Sequence, residues 1–216
     1  MHPFPRYSAG ERLADTAVHL VGVTTSLAAA TALAAIALSH GQALTVVSLA
    51  VYGIGLIAVF GCSAGYNMAR RPGWKEALRR LDHAAIFVMI AGSYTPFAVS
   101  AIGGTWGLGL LAVVWGVALL GVALKLFLPR RFERLSIALY LAQGWAILAA
   151  LEPLAAAVSG MTLRLLVIGG GLYTLGVVFH LCRRLPYHNA IWHGLVLVAA
   201  GCHYVAVFDA VALPLR

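Results

Sequence analysis

Apolar residues in this chain come in long stretches, with polar residues gathered between them rather than alternating at strand or surface-helix spacing. A helix needs roughly 20 apolar residues to cross about 30 Å of hydrocarbon. Windows of that length predict spans over 15–38, 43–69, 82–102, 106–128, 134–151, 163–181 and 190–211. The connections are short, so the pattern predicts an all-α, seven-transmembrane helix bundle in a single integral-membrane domain, 1–216. Gly53, Gly55, Gly61 and Gly65 interrupt the second span, and Gly169, Gly170 and Gly171 the sixth. Small residues let helices approach closely, either within one chain or between copies in a homo-oligomer.

Composition agrees with this pattern. The chain is 62% hydrophobic and 10% charged, where soluble domains carry about 25% charged residues. The net charge of +8 could suggest nucleic acid, but the cations cluster between apolar runs and no soluble basic domain is present to hold it. Membrane lipids are the expected partners. The polar, Pro-rich start and the length of the first apolar run do not resemble a cleavable signal peptide. Arg6, Arg12, Arg70, Arg71, Lys75, Arg79, Arg80, Lys125, Arg130, Arg131, Arg134, Arg183 and Arg184 all fall on one side of the predicted topology. Only Arg164 and Arg216 fall on the other. The positive-inside rule then predicts a cytoplasmic N-terminus, an outer C-terminus and a multi-pass location in the cell's inner (plasma) membrane. Cys62, Cys182 and Cys202 lack metal-type spacing and read as small buried hydrophobes.

Orientation places the polar residues by depth. Glu11, Asp15 and His19 recur at i, i+4, i+8 on one face of the first span. Ser63 and Asn67 lie in the last turns of the second, Asp82 and His83 at the mouth of the third, and His188, Asn189 and His193 at the start of the seventh. All share the cytoplasmic leaflet, and intramembrane ionisable groups normally face a partner or a cavity. Each also has a plainer reading. Glu11 and Asp15 could favour a helix N-terminus, Ser63 could bond back to its own helix, Asp82 could be an N-cap, and His19 could be a satisfied core histidine. Tyr94, Thr95 and Pro96 read as a kink and packing element. His203 lies about 15 Å deeper than His193 and reads as a packing residue.

The stretches Arg79-Arg80-Leu81-Asp82-His83-Ala84-Ala85-Ile86, Ala91-Gly92-Ser93-Tyr94-Thr95-Pro96-Phe97 and Ala190-Ile191-Trp192-His193 carry a resemblance over nearly the whole chain. The chain resembles the bacterial hemolysin III family, within the wider group of progestin and adipoQ receptors and, distantly, alkaline ceramidases. The resemblance implies a zinc site at the cytoplasmic leaflet, with imidazoles from a Ser-x-x-x-His on the second span and a His-x-x-x-His on the seventh. It also implies an Asp at the start of the third span holding a metal-bound water, with the Ser beside it. That chemistry suits amide or ester hydrolysis, because three protein ligands leave zinc a position for water.

This sequence departs from the pattern at the ligands. Asn67 and Asn189 stand where two imidazoles are expected, Asp15 stands where Asn is usual, and only His193 remains of the three. An amide is a poor zinc ligand beside imidazole. Asn67 and Asn189 are therefore expected to bond each other, with Ser63, Asp82 and His193 completing a metal-free network. Three functions follow. The preferred one is a non-catalytic or degenerate member acting in membrane homeostasis. The alternative is a zinc-dependent hydrolase of a lipid amide or ester, with Ser63 and Asp82 catalytic, His193 on the metal, and Glu11, Asp15, His19 and His83 in support. The third is a pore-forming cytolysin, which the nearly apolar outer halves of the helices disfavour.

Overall fold

Ser8 opens the first helix with a reciprocal cap. Its Oγ accepts from the Glu11 backbone N–H at 3.2 Å, and the Glu11 carboxylate accepts from the Ser8 N–H at 2.7 Å. From there the computed structural model is helical almost throughout, and it describes residues 7–69, 71–128 and 131–213. Arg6, Arg70, Arg130 and Arg216 of the topology argument lie outside the described residues.

Helix α1 runs Ala9–His40, α2 Ala43–Met68, α3 Pro72–Pro96 and α4 Gly104–Phe127. The fifth span consists of α5 (Glu133–Gly144), a 3₁₀ turn (Ala146–Ala150) and α6 (Leu151–Ala157). Helix α7 covers Gly160–Leu181 and α8 His188–Val207. Wider π turns extend α3 through Phe97–Ile102 and α8 through Phe208–Ala212. Seven stretches are long and apolar enough to cross a membrane. The protein is thus an all-α, multi-pass membrane bundle.

Three boundaries differ by several residues from those the hydropathy predicts, the first being α1, which begins at Ala9 rather than at Asp15. The third helix begins at Pro72, not at Asp82, with Pro72 in the first turn, where its missing N–H costs nothing. An apolar window measures lipid-soluble length, whereas this helix continues outward through a basic turn in which Arg79 pairs with Glu76 at 3.1 Å and Glu133 at 3.5 Å. Asp82 therefore sits inside a helix and is not its N-cap. The fifth span continues past Leu151 to Ala157, because Pro153 again falls in a first turn.

The break in that span is held by Tyr94. Its phenol donates to the Gly144 carbonyl at 2.6 Å and accepts from the Ile147 N–H at 3.0 Å. The turn between α3 and α4 needs glycine, since Gly103 and Gly104 have φ of 63° and 54°.

Helix α2 packs on α1 and α3, α4 on α3, and α8 on α7 and α1. The broken fifth span leans on α3 and α4 and meets α7 through Trp145, whose Nε1 donates to Thr174 Oγ1 at 3.1 Å. Leu33, Leu49, Tyr52, Leu56 and Val207 fill the interior away from the basic end, and Ile54, Leu108, Leu119 and Val167 face outward. Several of the glycines pack closely within the chain, whereas a Cβ on Gly61 or Gly171 would meet nothing within 4 Å among the described residues. A Cβ on Gly53 would lie 3.2 Å from the Ala30 side chain, and one on Gly169 would lie 2.4 Å from His203 Nδ1. His203 is the packing residue expected, donating from Nδ1 to the Ala199 carbonyl at 3.0 Å. Cys62 and Cys202 are half-buried, but Cys182 is exposed, because it follows the last turn of α7.

Glu11 does more than cap α1. Its Oε1 accepts from the Tyr187 N–H at 3.0 Å and so ties the starts of the first and last helices together. Tyr187 occupies the left-handed region at φ 60°, a conformation that a non-glycine residue holds only when its surroundings impose it. Two outcomes are expected. Tyr94→Phe strands the Gly144 carbonyl and the Ile147 N–H and lowers stability by about 1–3 kcal/mol, read from thermal unfolding in detergent. Glu11→Ala accelerates hydrogen exchange at the Ser8 and Tyr187 amides while leaving exchange in the middle of α2 unchanged.

Candidate functional site at the basic end of the bundle

Four helices deliver polar side chains to one level, three of them as pairs one turn apart and α3 as two adjacent residues. Asp15 and His19 come from α1, Ser63 and Asn67 from α2, Asp82 and His83 from α3, and Asn189 and His193 from α8. All eight line one cavity of about 1250 Å³. Arg79, Lys125 and Arg183 also border it, as do apolar groups including Val59, Ile86 and Val196. Tyr7 stands at its edge, where burial, reinforced by the Asp15 carboxylate, pushes the phenol up.

The hydrogen bonds define the protonation of both imidazoles. His19 Nδ1 lies 2.7 Å from the Asp15 carbonyl. A carbonyl only accepts, so Nδ1 carries the proton and Nε2 offers its lone pair. His193 Nδ1 lies 2.6 Å from Asp15 Oδ1, and donation to that carboxylate likewise leaves Nε2 free. The two rings stand edge to face with centroids 4.4 Å apart. Both Nε2 atoms converge on Ser63 Oγ, His19 at 3.1 Å and His193 at 3.5 Å.

The two asparagines close on the same point. Asn67 Nδ2 donates to the Ser63 carbonyl at 3.0 Å and to His19 Nε2 at 3.3 Å. Two acceptors can only be faced by the amide nitrogen, which assigns the orientation of the side chain. Asn67 Oδ1 then accepts from Asn189 Nδ2 at 3.5 Å.

The other candidate residues lie further from this centre. Among the described residues no hydrogen bond joins Asp82 to Ser63, Asn67 or His193. Asp82 Oδ2 lies 3.5 Å from His83 Nδ1, which itself lies 2.8 Å from the Arg79 carbonyl. The carboxylate on His193 is therefore Asp15, because α8 packs against α1 and brings the two together. Glu11 bonds only backbone groups, at Ser8 and Tyr187. His180 of α7, which the sequence reading passes over, also lines the cavity, with its ring 5.3 Å from that of Trp192. Its position in the last turn of the sixth span, at the basic end, was the available signal.

Three protein ligands for zinc need imidazole, thiolate or carboxylate donors with lone pairs to give. At the positions where the resemblance expects imidazoles, Asn67 and Asn189 are amides bonded to each other, so the three-imidazole set does not fit this chain. Asp15, His19 and His193 do bring ligand-capable atoms within 4.8 Å of one another. Binding there would require His19 Nε2 to exchange the Asn67 N–H for the ion.

A family model described as Haemolysin-III related matches residues 11–204. The chain is similar to a Hemolysin-3 homolog of Bacillus subtilis (strain 168), 36% identical over 209 residues that cover 96% of this chain and 98% of the relative. It is similar to Hemolysin-3 of Bacillus cereus, 36% identical over 197 residues covering 91% and 90%. The human Monocyte to macrophage differentiation factor is 29% identical over 171 residues, covering 73% and 68%, which supports the wider receptor group. No solved structure matches the chain significantly. With its seven spans and the polar cavity at their basic end, the chain belongs to the haemolysin-III related family of membrane proteins.

Proposed function

We propose that this family member works without zinc, its polar cavity engaging membrane lipids in the upkeep of the membrane that holds it. The observation that carries the reading is the bond from Asn189 Nδ2 to Asn67 Oδ1. One amide donates to the other at the positions where two metal-binding imidazoles are expected, and a second Asn67 N–H faces the His19 lone pair. Buried polar groups satisfied in this way rigidify a site and leave little donor capacity for an ion. The cavity suits an amphipathic guest, since cations border it and apolar groups line its depth. With the basic end facing the cytoplasm, such a guest would come from the inner leaflet. Lysis, which the relatives' names suggest, has less support, because the apolar cluster around Leu33, Leu49 and Tyr52 fills the bundle beyond the cavity.

The close approach of Asp15, His19 and His193 favours a second reading, a zinc-dependent hydrolase of a lipid amide or ester with a rearranged ligand set. Elemental mass spectrometry of the purified protein separates the two. The wild type is expected to hold no stoichiometric zinc, whereas Asn67→His/Asn189→His, with the family's imidazoles restored, holds about one per chain. Stoichiometric zinc in the wild type that Asp15→Asn or His19→Ala removes would overturn the metal-free reading in favour of the second.

A further inference from the structure

Ser63 is the one hydroxyl on which both imidazoles converge, and the surrounding bonds decide which of them takes its proton. His19 Nε2 has a single in-plane lone pair, which it shares between Ser63 Oγ at 3.1 Å and the Asn67 N–H at 3.3 Å, while that amide's other N–H holds the Ser63 carbonyl at 3.0 Å. His193 Nε2 lies 3.5 Å from the same hydroxyl, and it is the imidazole whose other nitrogen is hydrogen-bonded to a carboxylate rather than to a backbone carbonyl. His193 in turn gives its Nδ1 proton to Asp15 Oδ1 at 2.6 Å. Hydroxyl, imidazole and carboxylate thus stand in the order that activates a serine, and such sets are recognised by geometry and role rather than by position in the chain. Separations between nucleophile and base are commonly loose before a substrate is bound. The site also lies in a cavity rather than in packed core, and Ser63, His193 and Asp15 all border that space.

We infer that Ser63 is a nucleophile for acyl transfer from a lipid ester or amide, with His193 as its general base and Asp15 as the residue that positions His193. This rests on the metal-free reading, since no Lewis acid takes part. In the first step Ser63 Oγ bonds to the substrate carbonyl carbon as its proton passes to His193 Nε2. The bond to the leaving oxygen or nitrogen then breaks, and His193 returns the proton to that atom. Water entering from the cavity attacks the acyl-serine, gives its proton to His193 and releases the fatty acid, and His193 reprotonates Ser63. Asn189 contributes one Nδ2–H to Asn67. Its second N–H is a donor at the same level for the oxygen that becomes negative.

The asparagines thereby acquire a reason. An imidazole at position 67 would offer a lone pair beside Ser63, whereas the amide supplies an N–H that reaches His19. Asp15, where the family usually has Asn, supplies the charge that a positioning carboxylate requires. The three departures from the family pattern together convert a metal-binding arrangement into a proton relay.

The test uses the full chain in detergent, treated with an alkyl phosphonofluoridate, whose phosphorus takes the serine oxygen and releases fluoride. The expected result is a phosphonyl adduct on Ser63, found by peptide mass spectrometry, formed equally with and without a chelator and absent in Ser63→Ala. His193→Ala is expected to slow labelling by about 10²–10⁴-fold. Asp15→Asn slows it by up to about 10⁴-fold, and Asp15→Glu recovers part of the rate, which a merely structural role would not produce. A folded wild type left unlabelled by concentrations that modify a soluble serine esterase overturns the relay. So does labelling at Ser63 that His193→Ala leaves unchanged. Metal content of the same preparation keeps the two failures apart. An unlabelled, zinc-free chain overturns the relay alone, whereas a chain holding stoichiometric zinc overturns the metal-free reading and the relay with it.

Discussion

The bond between His193 Nδ1 and Asp15 Oδ1, 2.6 Å long, joins the last span to the first, and the arrangement of the cavity depends on it. A carboxylate and an imidazole within a hydrocarbon-spanning bundle are expensive unless they meet each other or water. Their pairing satisfies both and fixes the tautomer of His193. It also points a second nitrogen at Ser63 on a third helix. The Glu11 bond to the Tyr187 N–H reinforces the same seam one turn outward. The contacts of α8 with both α7 and α1 join the two ends of the chain at this seam.

Around that pair Asn67 and His19 are fully engaged, whereas Asn189 uses one N–H on Asn67 and keeps the second for a further partner. Each N–H of Asn67 has an acceptor, its oxygen has a donor in Asn189, and His19 is held at both ring nitrogens. Such completeness is what makes a buried polar network specific, since a single unmatched member would carry its full desolvation penalty. Asp82 stands apart from it, beside His83 on α3 and bordering the same space. The network thus occupies the α1–α2–α8 side of the cavity, while Asp82, His83 and Arg79 form the α3 side.

The polar level is supported by ordinary packing elsewhere. Tyr94 bridges the break in the fifth span, and the apolar cluster around Tyr52 and Leu33 fills the interior beyond the cavity. These elements keep the ends of the helices in register, and the register sets which side chains meet. The motif residues around Tyr94 therefore serve the site at a distance, by holding the scaffold rather than touching the polar groups.

The sequence alone determined the seven spans, because hydrophobic length is a local property and crossing a membrane demands it. It also determined that Ser63, Asn67, Asn189 and His193 share one end of the bundle, because depth along a span follows from counting residues at a fixed rise. It pointed to the asparagine pair, because two amides replacing two imidazoles need partners. Lateral neighbours could not be read in this way. Depth places Asp15 and Asp82 at one level, and only the packing of α8 against α1 decided that Asp15 is the carboxylate on His193. Tertiary structure likewise revealed that α3 begins at Pro72, since a helix can continue beyond its lipid-soluble part. It brought His180 to the cavity, and it showed that both imidazoles converge on Ser63 while Asn67 also reaches His19. Which acceptor an N–H finds depends on helix rotation and separation, and those are fixed by the contacts of every span with its neighbours rather than by any segment of the chain taken alone.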